Sequence, residues 1–201
     1  MAIPFATAEV VTAVEMNELA RAHWRKTTAK VVANTVTETD LLNGEITIDA
    51  GAMSTNRMLR LTAIGDWINN TGAAVGTPRL KLKLGATTIV DSNVIATNWS
   101  TSALRTPWRL VAEIENLGAT NSQWTHLMGS GILNNPAAGF STATTGEGAM
   151  VAVSPATLAL SVANSSAVDT TAAQALALTV TLATANALED MTLKFATVEI
   201  V

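Results

Sequence analysis

His23 and His126 are the only imidazoles in a chain of 201 residues that has no cysteine. Zinc takes three or four N, O or S ligands. Two histidines in separate segments do not supply them, so no metal site is expected, and thiolate chemistry and disulfides are excluded. His126 alternates with Trp124 and Met128, which is the spacing of a packed or contact histidine on a strand. Glu113 and Glu115 fall on one strand face, with side chains ~7 Å apart from the strand rise. That separation resembles a glycosidase pair, but such carboxylates come from different segments of a cleft, and solvated strand-face charges are the better reading. Arg79, Lys81 and Lys83 read the same way, as a solvated basic stripe. Asp40, Glu45 and Asp49 lack the dense Asp/Asn spacing of a calcium loop. There is no G-x-S-x-G turn, no local Ser/His/Asp arrangement, no Walker loop and no dinucleotide fingerprint. No catalytic residue, cofactor or metal ligand is therefore assigned, and an enzyme is not expected.

The aromatic residues are the next candidates. The chain has five tryptophans and no tyrosine. Trp67, Trp99, Trp108 and Trp124 could form a sugar-stacking platform, because aromatic faces suit apolar ligand surfaces. Trp67 and Trp108 share parity with core leucines, which favours burial. Trp99, in "ATNWSTSAL", is the candidate for an exposed contact. Phe140 is a second, because it lies in the long irregular stretch 133–157, and long loops in compact domains are usually functional or mobile.

Period-two alternation dominates after residue 33 and positions these side chains. "GEITIDAG" gives a short strand at 45–49. "MLRLTAIGDWIN" gives a long one at 58–69 with Leu59, Leu61, Ala63 and Trp67 on one face. "RLKLKLG" alternates with Leu80, Leu82 and Leu84 inward, and "TTIVDS" follows a tight turn at Gly85. "PWRLVAEIENLG" (107–117), "NSQWTHLMGSGIL" (122–132), "TLALSV", "ALALTVTL" and "MTLKFATVEIV" continue the series. The alternation of the last strand slips between Phe195 and Val198, as a bulge or a covered outer face would cause. No helix intervenes, so a parallel sheet built from crossovers is not expected. The pattern predicts an all-β antiparallel sandwich, jelly-roll-like first and an immunoglobulin-like Greek key second.

One segment breaks the period. In "VVTAVEMNELARAHWRK", Thr12 and Glu15 form a capping box, Arg25 and Lys26 suit a helix C-terminus, and Met16, Leu19, His23 and Trp24 share a face. This predicts an amphipathic helix over about 13–26, within an N-terminal arm 1–32 that precedes a β-sandwich domain 33–201. A helix of this length is marginal alone in water. It must cover an end of its own domain, bundle with copies of itself or dock on a partner; in the last two cases Met16, Leu19, His23 and Trp24 form the attachment or oligomer interface.

Composition sets the partners. Hydrophobic residues make up 48% and charged residues 14%, with a net charge of −4 and a pI near 5.1. Such a surface repels neighbours weakly, so burial in an assembly is expected. Neither nucleic acid nor an anionic membrane surface is expected. The N-terminus has no basic start and no long apolar run, so a secretory signal is not expected. No segment approaches the ~20 apolar residues that span a bilayer.

The segments "EVVTAVEMNELAR", "MLRLTAIGDWINNTGA", "RLKLKLGATTIVDS" and "DTTAAQALALTVTLATAN…MTLKFATVEIV" resemble small structural proteins of tailed bacteriophages. The resemblance runs from about Glu9 to the C-terminus and is most specific in "GDWINNTGA" and "DTTAAQALALTVTL". It implies a β-sandwich displayed on a virion assembled in the host cytoplasm, often as a homotrimer, and attached by its N-terminal segment to the major capsid protein or another virion protein. Head decoration and head-fibre proteins fit best. A tail or fibre module that binds a receptor or carbohydrate is the alternative.

Overall fold

The computed structural model describes residues 23–73, 78–92, 102–133 and 156–201. Its strands are β1 (His23–Lys26), β2 (Lys30–Ala33), β3 (Thr39–Asp40), β4 (Thr47–Ile48), β5 (Met58–Asn69), β6 (Arg79–Leu84), β7 (Thr87–Asp91), β8 (Ser102–Asn116), β9 (Gln123–Leu133), β10 (Ala156–Ser166), β11 (Gln174–Thr181) and β12 (Glu189–Ile200). They form two antiparallel sheets. The larger has seven strands in the order β1-β12-β5-β8-β9-β10, with β2 also on β12. The smaller has five, in the order β3-β11-β6-β7, with β4 also on β11.

The leucine alternation drives this arrangement. Leu59, Leu61 and Ala63 of β5 and Leu110, Ala112 and Ile114 of β8 are buried against Leu80, Leu82 and Leu84 of β6 and Leu176, Leu178 and Val180 of β11. Fully burying a Leu or Ile side chain contributes about 1.5–3 kcal/mol. Slipping a strand by one residue would turn its whole apolar set outward. Trp67 and Trp108 join this core at 3% and 5% exposure.

Gly65 makes room for Trp108, which faces it across β5 and β8. A Cβ on Gly65 would collide with the Trp108 indole and the Thr192 carbonyl oxygen. The indole N–H of Trp108 donates to the Asp66 carbonyl at 3.1 Å. On the other side of β5 the β12 register shifts between Leu193 and Phe195. Lys194 is thus a bulge. Leu193 is buried before it, and Ala196 and Val198 are buried after it. The slip in alternation is this bulge, a little earlier in the strand than the sequence pattern places it.

β8 starts at Ser102 rather than at 107 and runs through Pro107. Proline cannot donate to a ladder, but β9 pairs with β8 only from Trp108 onward, so the flank of Pro107 toward β9 carries no ladder. "DLLNGE" is a turn in which both Asp40 carboxylate oxygens accept backbone N–H groups, Leu42 at 2.9 Å and Gly44 at 2.8 Å. It buries Leu41 and Leu42 completely.

The predicted helix does not extend through its last turn. Residues 23–26 are β1, antiparallel to β12 from His23↔Glu199 to Lys26↔Ala196. β2 continues along the same edge from Lys30↔Leu193 to Ala33↔Asp190. The final residues of the expected N-terminal arm are therefore one edge strand, interrupted at 27–29 opposite the Lys194 bulge. Trp24 packs against the core, and Lys26 is 1% exposed with its ammonium on the Glu45 carboxylate. The chain reaches period two at His23 because an open sheet edge beside β12 offers backbone partners and a pocket for both inward side chains. The earlier part of that helix lies outside the described residues.

Candidate functional site

Among the described residues, the outer face of the larger sheet gathers Glu113, Glu115, Trp124 and His126. Its strands read outward on β12 at Asp190, Thr192, Phe195, Thr197 and Glu199, and on β5 at Arg60, Thr62, Ile64 and Asp66. The series continues on β8 at Arg105, Arg109, Val111, Glu113 and Glu115, and on β9 at Trp124, His126 and Met128. Two ion-pair clusters bound this face. At one end Arg105 binds Asp66 at 2.6 Å and Asp190 at 2.7 Å, while Lys194 reaches Asp66 at 3.2 Å. The Asp190 carboxylate holds the Arg105 guanidinium above its ordinary pKa. At the other end Arg60 sits between Glu113 at 3.0 Å and Glu199 at 3.6 Å.

Between the clusters runs a band that is mainly apolar or hydroxyl. Phe195 lies opposite Ile64, and Thr62 lies opposite Val111, which lies opposite Met128. Ile64 is 41% exposed and Met128 36%. The Arg25 guanidinium stacks over the Phe195 ring, 5.7 Å from its centroid. Trp124 is the most exposed large aromatic described, at 46%, with Glu115 facing it from β8 and Ser165 from β10.

His126, Ser161 and Glu113 are the groups on this face closest to an acid–base arrangement. His126 Nε2 lies 2.9 Å from Ser161 Oγ, and Glu113 sits across the ladder from His126. An activated serine needs its histidine oriented by a third group. Glu113 instead accepts from Arg60 Nε at 3.1 Å. The arrangement orders the surface without assembling a nucleophile. Glu113 and Glu115 are strand-face charges, one paired and one exposed. Among the described residues no group of three His, Cys, Asp or Glu could hold a metal, and no helix is long and apolar enough to cross a membrane.

The basic stripe is less solvated than its spacing suggests. Lys81 and Lys83 both bind Glu38, Lys83 at 3.0 Å. Arg79 forks onto Asp91, with Nε to Oδ1 at 2.7 Å. Glu38 and Asp91 come from segments far from the stripe or across a hairpin, and no local period reveals them. A buried polar network at one end of the sandwich was equally hidden. Gln123 Nε2 donates to Asn116 Oδ1 at 2.8 Å and to the Val168 carbonyl at 3.0 Å. Asn116 Nδ2 donates to Thr170 Oγ1 at 2.9 Å.

Of the residues expected at an attachment or contact surface, Trp24 packs on its own core and His23 is a strand residue opposite Glu199. Met16, Leu19, Trp99 and Phe140 lie outside the described residues. Trp124 is the exposed tryptophan that the structure adds. Its cue in the sequence was its parity, opposite to that of buried Gln123, Thr125 and Leu127. No protein-family model matches the chain, and no curated protein matches it either.

Proposed function

We propose that this chain is a non-enzymatic structural protein of a bacteriophage virion that decorates or stabilises the head, as a decoration or head-fibre protein, and is displayed as an oligomer. The observation that carries the reading is the band of Ile64, Val111, Met128 and Phe195 on one sheet face, interrupted by Arg109 opposite Ile64 and bounded by a balanced cluster at Arg105 and a cluster at Arg60 in which one cation meets two carboxylates. Such a face is apolar enough to pack on a neighbouring protein and ordered enough to need little rearrangement. A modest contact per copy suffices when many copies are displayed. The attachment segment in this reading is the part before His23, with Met16 and Leu19, because Trp24 and Lys26 serve the sandwich. The pairs β5–β12, β6–β11 and β8–β9 are nested as in a jelly roll, but β5 also pairs with β8, β6 with β7 and β9 with β10 within single sheets, so the strand order supports a two-sheet β-sandwich rather than a complete jelly roll.

The test is to purify particles of the phage that encodes the chain, measure its copy number by quantitative mass spectrometry and locate it by cryo-electron microscopy. Density on the head at a copy number set by capsid symmetry is expected; absence from particles rejects the reading. A second reading, a receptor- or carbohydrate-binding module on the tail or a fibre, is favoured by the exposed Trp124 indole beside Glu115 and Ser165, since a carboxylate and a hydroxyl next to an aromatic face suit a sugar. It predicts binding of the isolated protein to host cells or envelope glycans, with at least a tenfold loss in Trp124→Ala. No binding by the wild type removes it.

A further inference from the structure

Two sheets present four lateral edges, and the described structure blunts three of them. The β1–β2 edge is broken at 27–29 and carries Arg25 and Lys30. On the β11 side, β3 and β4 contribute two residues each. β7 shifts register against β6, and its Ile89 carbonyl accepts the Asn164 side chain at 3.0 Å. Short strands, cationic side chains and bulges are the devices by which sheets avoid edge-to-edge pairing.

β10 uses none of them. Its 11 residues, ATLALSVANSS, include no charged residue and no proline. Its ladder to β9 runs from Ala156↔Leu133 to Ser166↔Gln123 without a register shift. Among the described residues no strand pairs with its other side. A regular strand of this kind presents outward-pointing N–H and C=O groups ready to extend the sheet.

We propose that β10 pairs antiparallel with β10 of a second copy of this chain about a twofold axis, giving one continuous sheet across two protomers. In such a contact each segment meets itself. A strand with charges would face its own charges, and β10 brings none. Its outward side chains near the centre, Ser161 and Ala163, are small and do not obstruct the approach. The pairing also joins the two outer faces, so that the Ile64–Val111–Met128 band is doubled on one surface. This specifies the oligomer within the capsid reading but stands on the sheet edges alone. It differs from the homotrimer that the phage resemblance implies.

The test is sedimentation of the full chain with and without charges on the edge. The wild type should contain a species of twice the 20.9 kDa chain mass. Ala159→Lys with Ala163→Lys should return it to one chain mass with an unchanged circular dichroism spectrum. Val31→Lys, on the opposite edge, should leave the mass as in the wild type. Hydrogen exchange on the wild type provides a readout that needs no variant: β10 amides that do not bond to β9 should be protected at high concentration and lose protection on dilution. A monomer at every concentration, a trimer with unprotected β10 amides, or dissociation by Val31→Lys instead overturns the proposal. Absence of the chain from particles would reject the capsid reading and leave this pairing standing.

Discussion

Glu38 shows how much a single side chain can carry without any local signature. Hydrogen bonds from Lys81 and Lys83 lower its pKa from 4.5 to about 2. A carboxyl whose folded pKa is depressed adds stability that is complete above the unfolded value and is lost as pH falls from about 4.5 toward 2. Glu38→Gln should therefore cost about 1–2 kcal/mol at pH 7, after allowance for solvent screening, and the difference from wild type should vanish near pH 2. Denaturant titrations at several pH values check this. Glu189 behaves in the opposite sense. It is fully buried, Thr184 donates to one oxygen, and its Oε1 has no partner. Burial raises its pKa, so its ionisation opposes folding once pH rises past the unfolded carboxylate value. Glu189→Gln should raise the melting temperature at pH 7, with the gain shrinking toward pH 4. An equal gain at both values would show that charge is not the cause.

Strands are where residue choices become geometry. β5 must accommodate an indole on one side and the β12 bulge on the other, and Gly65 is the position at which both occur. Gly65→Ala should destabilise the fold by about 3 kcal/mol, at the upper end of overpacking costs. The flexible end of a long side chain could move aside, but the Thr192 carbonyl belongs to the neighbouring strand. Adding Trp108→Phe should recover only part of the loss, since the backbone collision remains. Thermal unfolding of the single and double variants measures this. The alternation of β5 and β6 made both strands legible to the residue, with Leu59, Leu61, Ala63, Leu80, Leu82 and Leu84 all buried as their parity requires. β8 was legible only in part, because Pro107 reads locally as a strand start and whether a neighbour needs its missing N–H depends on where the β8–β9 ladder ends.

For the assembled sandwich, the decisive point is that residues 23–26 and 30–33 pair with β12 over most of its length. Removing residues 1–30 should expose the core beneath Trp24, leave Glu45 without its ammonium and cause a loss of at least about 3 kcal/mol, by analogy with truncating a buried aromatic. The readouts are a lower melting temperature and aggregation. A truncated chain as stable as the full one would mean that Trp24 and Lys26 contribute nothing to the sandwich. The outer face of the larger sheet likewise exists only in the assembled sandwich. Phe195, Ile64, Val111 and Met128 lie on four strands, and only pairing places them in one band.

What the order of amino acids settled was which residues turn inward, because side chains alternate with period two whatever a strand's partners are. It thus determined the all-β class, the leucine core, the burial of Trp67 and Trp108 and the lack of ligands for thiolate chemistry. Partner choice was left to the folded chain, since pairing depends on backbone groups common to nearly every residue and on edges that exist only once the sheets have formed. That is why His23–Lys26, helical by local pattern, became an edge strand, why Glu38 met two lysines from another strand, and why, among the described residues, β10 is a long edge without a charge.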